Sequence, residues 1–140
     1  MPNTFTRPTK SPHLLLLTLL ACTTGQATAQ DISVSMAECA AIYDVLAESA
    51  GYQGKPDDQI QRMQAVSTEF KIHAVPRAET EGKADPDQFI AQIYADKRLY
   101  WAERWFDSSD FSFLANFSEN IEWTKYCASM GKHYGVLPLK

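Results

Sequence analysis

The sequence predicts an all-α fold: an antiparallel helical bundle of about four helices, stapled by one disulfide. Three observations predict it. Four stretches place apolar side chains at helical spacing, and no Val/Ile-rich alternating run suggests a sheet. The links between the stretches are short enough to fold neighbours back on one another. Two cysteines, Cys39 and Cys127, fall on the apolar sides of the first and last stretches.

The bundle begins after residue 29. Residues 1–13 carry Arg7 and Lys10 and no acid. The apolar run Leu14-Leu15-Leu16-Leu17-Thr18-Leu19-Leu20-Ala21 follows, and then the small, polar stretch CTTGQATAQ. A basic start, a short apolar core and an Ala27-Thr28-Ala29 cleavage site make a secretory signal peptide. The run is too short to cross a bilayer as a helix. Cleavage after Ala29 leaves a single helical domain, 30–140. Leu19-Leu20-Ala21-Cys22 also resembles a bacterial lipobox, so a lipid anchor at Cys22 is the rival processing route.

Export sets the redox compartment. An even cysteine count in an exported chain reads as a disulfide, and with two the connectivity is forced. In the chain-entropy model so long a loop stabilises the fold by roughly 4 to 5 kcal/mol. Losing residues 1–29 removes two basic side chains, which leaves 11 Lys and Arg against 17 Asp and Glu and a net charge of −6. That balance argues against nucleic acid as a partner, since phosphate backbones require a basic face.

The first helix is expected from about Ser35 to Ala50. Ser35-Met36-Ala37-Glu38 has the capping-box pattern, Gly51 is a natural stop, and Met36, Cys39, Ala40, Tyr43, Leu46, Ala47 and Ala50 form its apolar stripe. The second starts near Pro56 to Asp58, with stripe residues Ile60, Met63, Val66, Phe70 and Ala74, and is expected to end at Pro76. Residues 77–84 read as an exposed loop.

The third helix has the clearest start, with Asp85 as cap, Pro86 at the first position and Gln88 reaching back. Phe89, Ile90, Ile93, Tyr94, Tyr100, Trp101 and Trp105 project on one broad face. Phe111, Phe113, Leu114 and Phe117 suggest a short helical turn packed beneath the bundle. The fourth helix is expected from about Ser118 to Met130 or Tyr134, with stripe Trp123, Tyr126, Cys127, Met130 and Tyr134. Gly131 and Gly135 are its candidate stops, and the tail from Val136 is expected to be irregular.

Two cations, Lys97 and Arg104, interrupt the aromatic face of the third helix seven residues apart. One reading pairs them with acids of other helices, for which Glu38, Asp44, Glu48 and Glu122 are available. The other makes Lys97, Arg104, Tyr100, Trp101 and Trp105 an anion site that grips a carboxylate, phosphate or acidic sugar. Twelve of the 15 aromatic residues after position 29 fall between Phe89 and Tyr134. Large rings bury area efficiently in a small bundle, and they also line pockets.

Metal binding is not expected. His73 and His133 are far apart, and a disulfide would remove the thiolate from the string Cys127-x-x-Met130-x-x-His133. There is no Cys-x-x-Cys-His for covalent haem attachment. Met36 near the start of the first helix and His133 near the end of the fourth do occupy the places of an axial pair. In bundle layout and in these two positions the chain resembles the periplasmic b-type cytochrome bundles. That resemblance implies a non-covalent haem b as the alternative to having no cofactor. The cysteine pair and the heavy aromatic load depart from that pattern.

No G-x-S-x-G, H-E-x-x-H or glycine-rich phosphate loop is present, and Glu119 and Glu122 read as a solvated helix face. The expectation is therefore a periplasmic or secreted protein that is not an enzyme and binds a protein partner or a small anionic ligand. Haem handling, a lipid-anchored envelope role and a small enzyme are the alternatives.

Overall fold

Helix α1, Ile32–Tyr52, is the centre of the molecule. Thirteen of its 21 residues are buried, and they lie around most of its circumference rather than along one stripe. The reason is composition. Ser33, Ser35, Ala37, Ala40, Ala41, Ala47, Ser49 and Ala50 are small, so neighbouring helices approach it closely from several sides. The computed structural model describes residues 30–106 and 117–139. The expected signal peptide, Cys22, and the segment holding Phe111, Phe113 and Leu114 lie outside the described residues, while Phe117, expected to pack in the same turn, is instead the first residue of the fourth helix and is 57 % exposed.

Three helices pack on α1: α2 (Asp57–Thr80), α3 (Pro86–Trp105) and α4 (Phe117–His133). Contact with α2 is the most extensive, then α3, then α4. The helices pack as an antiparallel bundle, with no strand among the described residues. The Cys39–Cys127 disulfide joins α1 to α4, with Cα atoms 5.5 Å apart and both cysteines fully buried. Phe70, Met36, Ile42, Val45, Ile90, Trp101 and Trp105 fill the core around it. Among the described residues, no helix is long and apolar enough to cross a membrane.

Several element ends differ from the sequence expectation. Helix α1 starts at Ile32, with Asp31 at the N-cap, so Ser35 is a buried interior residue and not a cap. The capping-box reading fails because Glu38 is drawn to partners on α3. At the other end α1 runs past Gly51, and Gly54 provides the stop. Gly54 has φ +65°, a conformation cheap only for glycine, while Lys55 N–H closes on the Ala50 carbonyl.

Pro76 does not end α2, which continues for another turn to Thr80. A proline inside a helix costs about 3 kcal/mol, because it lacks an N–H and crowds the preceding turn. Tertiary contacts offset this. Ala74 and Ala78 on either side of Pro76 are fully buried. Just beyond the helix, Glu81 accepts hydrogen bonds from the Ser33 backbone N–H and hydroxyl. Residues 77–84 are thus mostly the end of a helix and its closing turn, and not an exposed loop.

Helix α3 starts as its local chemistry dictates. The Asp85 side chain accepts from the Gln88 N–H at 3.1 Å, and Pro86 takes the first position. Its core face is narrower than the sequence projection. Ile90, Trp101 and Trp105 are buried, Phe89, Ile93 and Tyr94 pack at the core edge, and Tyr100 is 49 % exposed. Helix α4 runs through Gly131 to His133. Gly131 is buried beneath Leu137, and a Cβ there would lie 2.9 Å from Leu137 side-chain atoms and 3.2 Å from Phe70. The C-terminal tail is therefore folded back onto the bundle, with Val136 buried. On α4 Tyr126 is 45 % exposed, off the core face assigned to it.

Candidate functional site

The two anomalous cations of α3 are both paired inside the chain. Lys97 Nζ lies 2.9 Å from Glu38 Oε1, and the same oxygen accepts from Trp101 Nε1 at 3.0 Å. Glu38 is 3 % exposed, so this carboxylate is buried on α1 between an ammonium and an indole. One helix separation along α3, Arg104 donates to both oxygens of Glu119, from Nε at 3.0 and 2.9 Å. The indole of Trp105 points at the same carboxylate, with Nε1 3.3 Å from Oε2. Each cation is thus followed one or four residues later by a tryptophan that shares its acid.

Glu119 is the partner that sequence reasoning missed. Glu122, offered in its place, is exposed. Glu119 occupies the first turn of α4, where the unpaired amides of a helix start favour negative charge. The hydrogen bond from Arg104 pulls the Glu119 carboxyl below the usual carboxylate range. Reciprocally, the hydrogen bond and charge of Glu119 push the Arg104 guanidinium up. Intrachain pairing of both cations is the arrangement that speaks against an anion site between them.

What remains at this place is aromatic. Trp101 is the hub: its ring lies 4.9 Å from Tyr100, 4.6 Å from Trp105 and 4.8 Å from Trp123, and Trp123 lies 5.5 Å from Tyr126. Most of these contacts are edge-on or tilted, the arrangements that ring quadrupoles favour. The network runs from exposed Tyr100 on α3, through buried Trp101 and half-buried Trp123, to exposed Tyr126 on α4. Of the five residues proposed from sequence, the structure brings all together at this seam. Trp101 and Trp105 form its floor, and Tyr100, Lys97 and Arg104 reach its surface.

A second polar group lies between α1, α2 and α3. Tyr94 donates its hydroxyl proton to Asp44, which also faces Lys71 Nζ at 3.6 Å. Lys71 sits over the Tyr94 ring, 4.4 Å from its centre. Arg98 pairs with Glu48 at 2.6 Å. Burial, then the hydrogen bond to Asp44 and its charge, raise the Tyr94 hydroxyl above the usual phenol range, with Arg98 opposing. Asp44, Glu48, Tyr94 and Arg98 border a cleft of about 490 Å³, but the charge of each acid is answered by a neighbour, so they serve to register α3 on α1.

The proposed haem ligands are not placed symmetrically. Met36 is packed in the core at 2 % exposure. His133 is exposed at the end of α4, its ring edge-on to Tyr134. The cleft that Met36 borders is lined by His73, Pro76, Arg77, Thr80 and Tyr134, and not by His133. Among the described residues no group of three or more His, Cys, Asp or Glu side chains has a metal-binding arrangement.

The chain matches no known protein family, and comparison with curated proteins and with solved structures returned no match.

Proposed function

We propose that this is an exported, non-enzymatic binding protein of the bacterial envelope, which docks a protein partner through the aromatic seam of α3 and α4. The supporting observation is the ring network ending in exposed Tyr100 and Tyr126. Buried Trp101 and the Cys39–Cys127 bridge beneath α4 hold these rings in place, so binding would order little that is not already ordered. Trp, Tyr and Arg are the residue types that dominate binding energy at protein interfaces, and Arg104 stands on the rim of this one. The export reading rests on the signal-peptide pattern of residues 1–29 and on a buried disulfide, which persists in oxidising compartments.

The test is capture from a periplasmic extract on immobilised protein, with Tyr100→Ala/Tyr126→Ala as the comparison. The expected result is a partner retained by the natural protein and lost by the double variant, with the melting temperature within a few degrees of the natural value. Equal capture by both proteins would refute the seam as the docking surface. The mass of the protein recovered from cells separates cleavage after Ala29 from lipidation at Cys22.

A further inference from the structure

The half-buried Lys and Arg side chains among the described residues follow one pattern, with one exception. Lys71 faces Asp44, Lys83 faces Asp31, Lys97 faces Glu38 and Arg98 faces Glu48. Arg77 is as shielded as these, yet it has no carboxylate partner among the described residues. Its guanidinium lies instead over the ring of Tyr134, 5.2 Å from the centroid. Its five N–H donors meet no hydrogen-bond acceptor among the described residues.

Arg77 lines a cleft of about 270 Å³ with His73, Thr80, Pro76, Met36 and Tyr134. His73 lies four residues before Arg77 on α2, hence on the same face one turn away. Among the described residues, neither the His73 imidazole nor the Tyr134 hydroxyl has a hydrogen-bond partner. The Thr80 hydroxyl is spent on the Pro76 carbonyl at 2.9 Å. Three side chains from α2 and the C-terminal tail therefore converge with unspent donors. Met36 and Pro76 complete the lining, and Met36 is only 2 % exposed there. A cation in the last turn of α2 also suits the carbonyl end of that helix, but this alone accounts for neither His73 nor Tyr134 beside it.

We infer that this cleft is a binding site for a small organic monocarboxylate. A guanidinium edge matches a carboxylate with two parallel hydrogen bonds. The site offers one permanent positive charge, the Arg77 guanidinium, which balances one negative charge and not two. Exposed Pro76 offers apolar surface for a short organic body beside the carboxylate. The site shares no residue with the aromatic seam, so the two proposals stand or fall separately.

The experiment is calorimetric titration of the purified protein with butyrate, benzoate and inorganic phosphate, for the natural chain, Arg77→Gln, His73→Gln and the control Lys125→Gln. The expected result is saturable binding of at least one carboxylate, weakened at least about tenfold by Arg77→Gln and measurably by His73→Gln, and unchanged by Lys125→Gln. No saturable binding of either carboxylate to the folded natural protein would overturn the inference. Equal weakening by Lys125→Gln would also overturn it, by showing general charge attraction. Tighter binding of phosphate than of either carboxylate would overturn the ligand class. If Arg77→Gln fails to fold, His73→Gln carries the comparison, and carboxylate affinity unchanged in it refutes the site.

Discussion

Removing the charge of Glu38 while keeping its shape tests the buried junction between α1 and α3. Glu38→Gln leaves an acceptor oxygen for the Trp101 indole but takes the negative charge from Lys97 and places an amide NH2 where Oε2 accepts from Gln30. Breaking a fully buried ion pair costs about 3–5 kcal/mol, because the surviving charge is stranded. Here the survivor is Lys97, whose side chain is 33 % exposed and can turn to water. The cost should therefore be lower, about 1–3 kcal/mol. At roughly 4 °C per kcal/mol for a domain of this size, the melting temperature should fall by about 4–12 °C.

The reverse deletion should be worse. Lys97→Met strands the Glu38 carboxylate, which is nearly inaccessible to water and keeps only the Trp101 indole and a 3.4 Å contact from Gln30. A loss of about 3–5 kcal/mol is expected. The double variant should recover at least about 1 kcal/mol relative to the sum of the single ones, since each change removes the other's stranded partner. Urea unfolding followed by tryptophan fluorescence reads all three. If Glu38→Gln proved as costly as Lys97→Met, or the changes were additive, the pair would not be the asymmetric, buried junction described.

Three further outcomes follow from other parts of the fold. Cys39→Ser should lower stability by about 2–5 kcal/mol, as loss of a long-range disulfide does in small exported domains; an unchanged melting temperature in oxidising buffer would mean that the bridge contributes nothing. Tyr94→Phe should cost about 1–3 kcal/mol near neutral pH, by stripping a donor from half-buried Asp44. Because the folded state holds the Tyr94 proton more tightly than the unfolded chain does, its contribution is complete below pH of about 10 and fades above it, so the gap between natural and variant proteins should narrow in alkali; a constant gap would refute that linkage. Gly131→Ala should destabilise despite alanine's better helix propensity, since its Cβ meets Leu137 at 2.9 Å, with an overpacking cost of about 1–3 kcal/mol. Pairing it with Leu137→Ala should relieve the clash, and failure to do so would point to Phe70 instead.

What could be read from sequence was what local chemistry decides. The start of α3 at Asp85 and Pro86 needs only residues within one turn, and the disulfide needs only a count and two apolar faces. The anomaly of Lys97 was visible because a charge among rings breaks a periodic pattern. Its partner Glu38 was visible only as one of four candidates, since Ser35 and Glu38 also match a capping box that the packing of α1 overrides. Glu119 was not visible. Choosing between it and Glu122 requires the phase of α4 against α3, which no local pattern in the sequence reveals. The cleft of Arg77 was hidden for a related reason. A helix ending at Pro76 leaves Arg77 in a loop, and only burial of Ala78 and the reach of Glu81 to Ser33 carry α2 far enough to aim it at Tyr134.

The uneven spread of aromatic residues has a physical cause in the central helix. Small side chains on α1 let α2 and α3 approach closely, so that side of the bundle is sealed by backbone proximity with few rings. Helix α4 meets α1 over the least area, and it is held by other means: the disulfide, the insertion of Gly131 beneath Leu137 and Phe70, and the contact of Trp123 with Trp101. Large rings are the efficient way to bury area where two helices stand farther apart. That accounts for Trp101, Trp105 and Trp123, which are wholly or partly buried. It does not account for Tyr100 and Tyr126, which add exposed apolar area at the same seam and leave their rings about half in water. Packing thus explains the floor of the aromatic seam and leaves its rim unexplained, and it is on the rim that a partner would make contact.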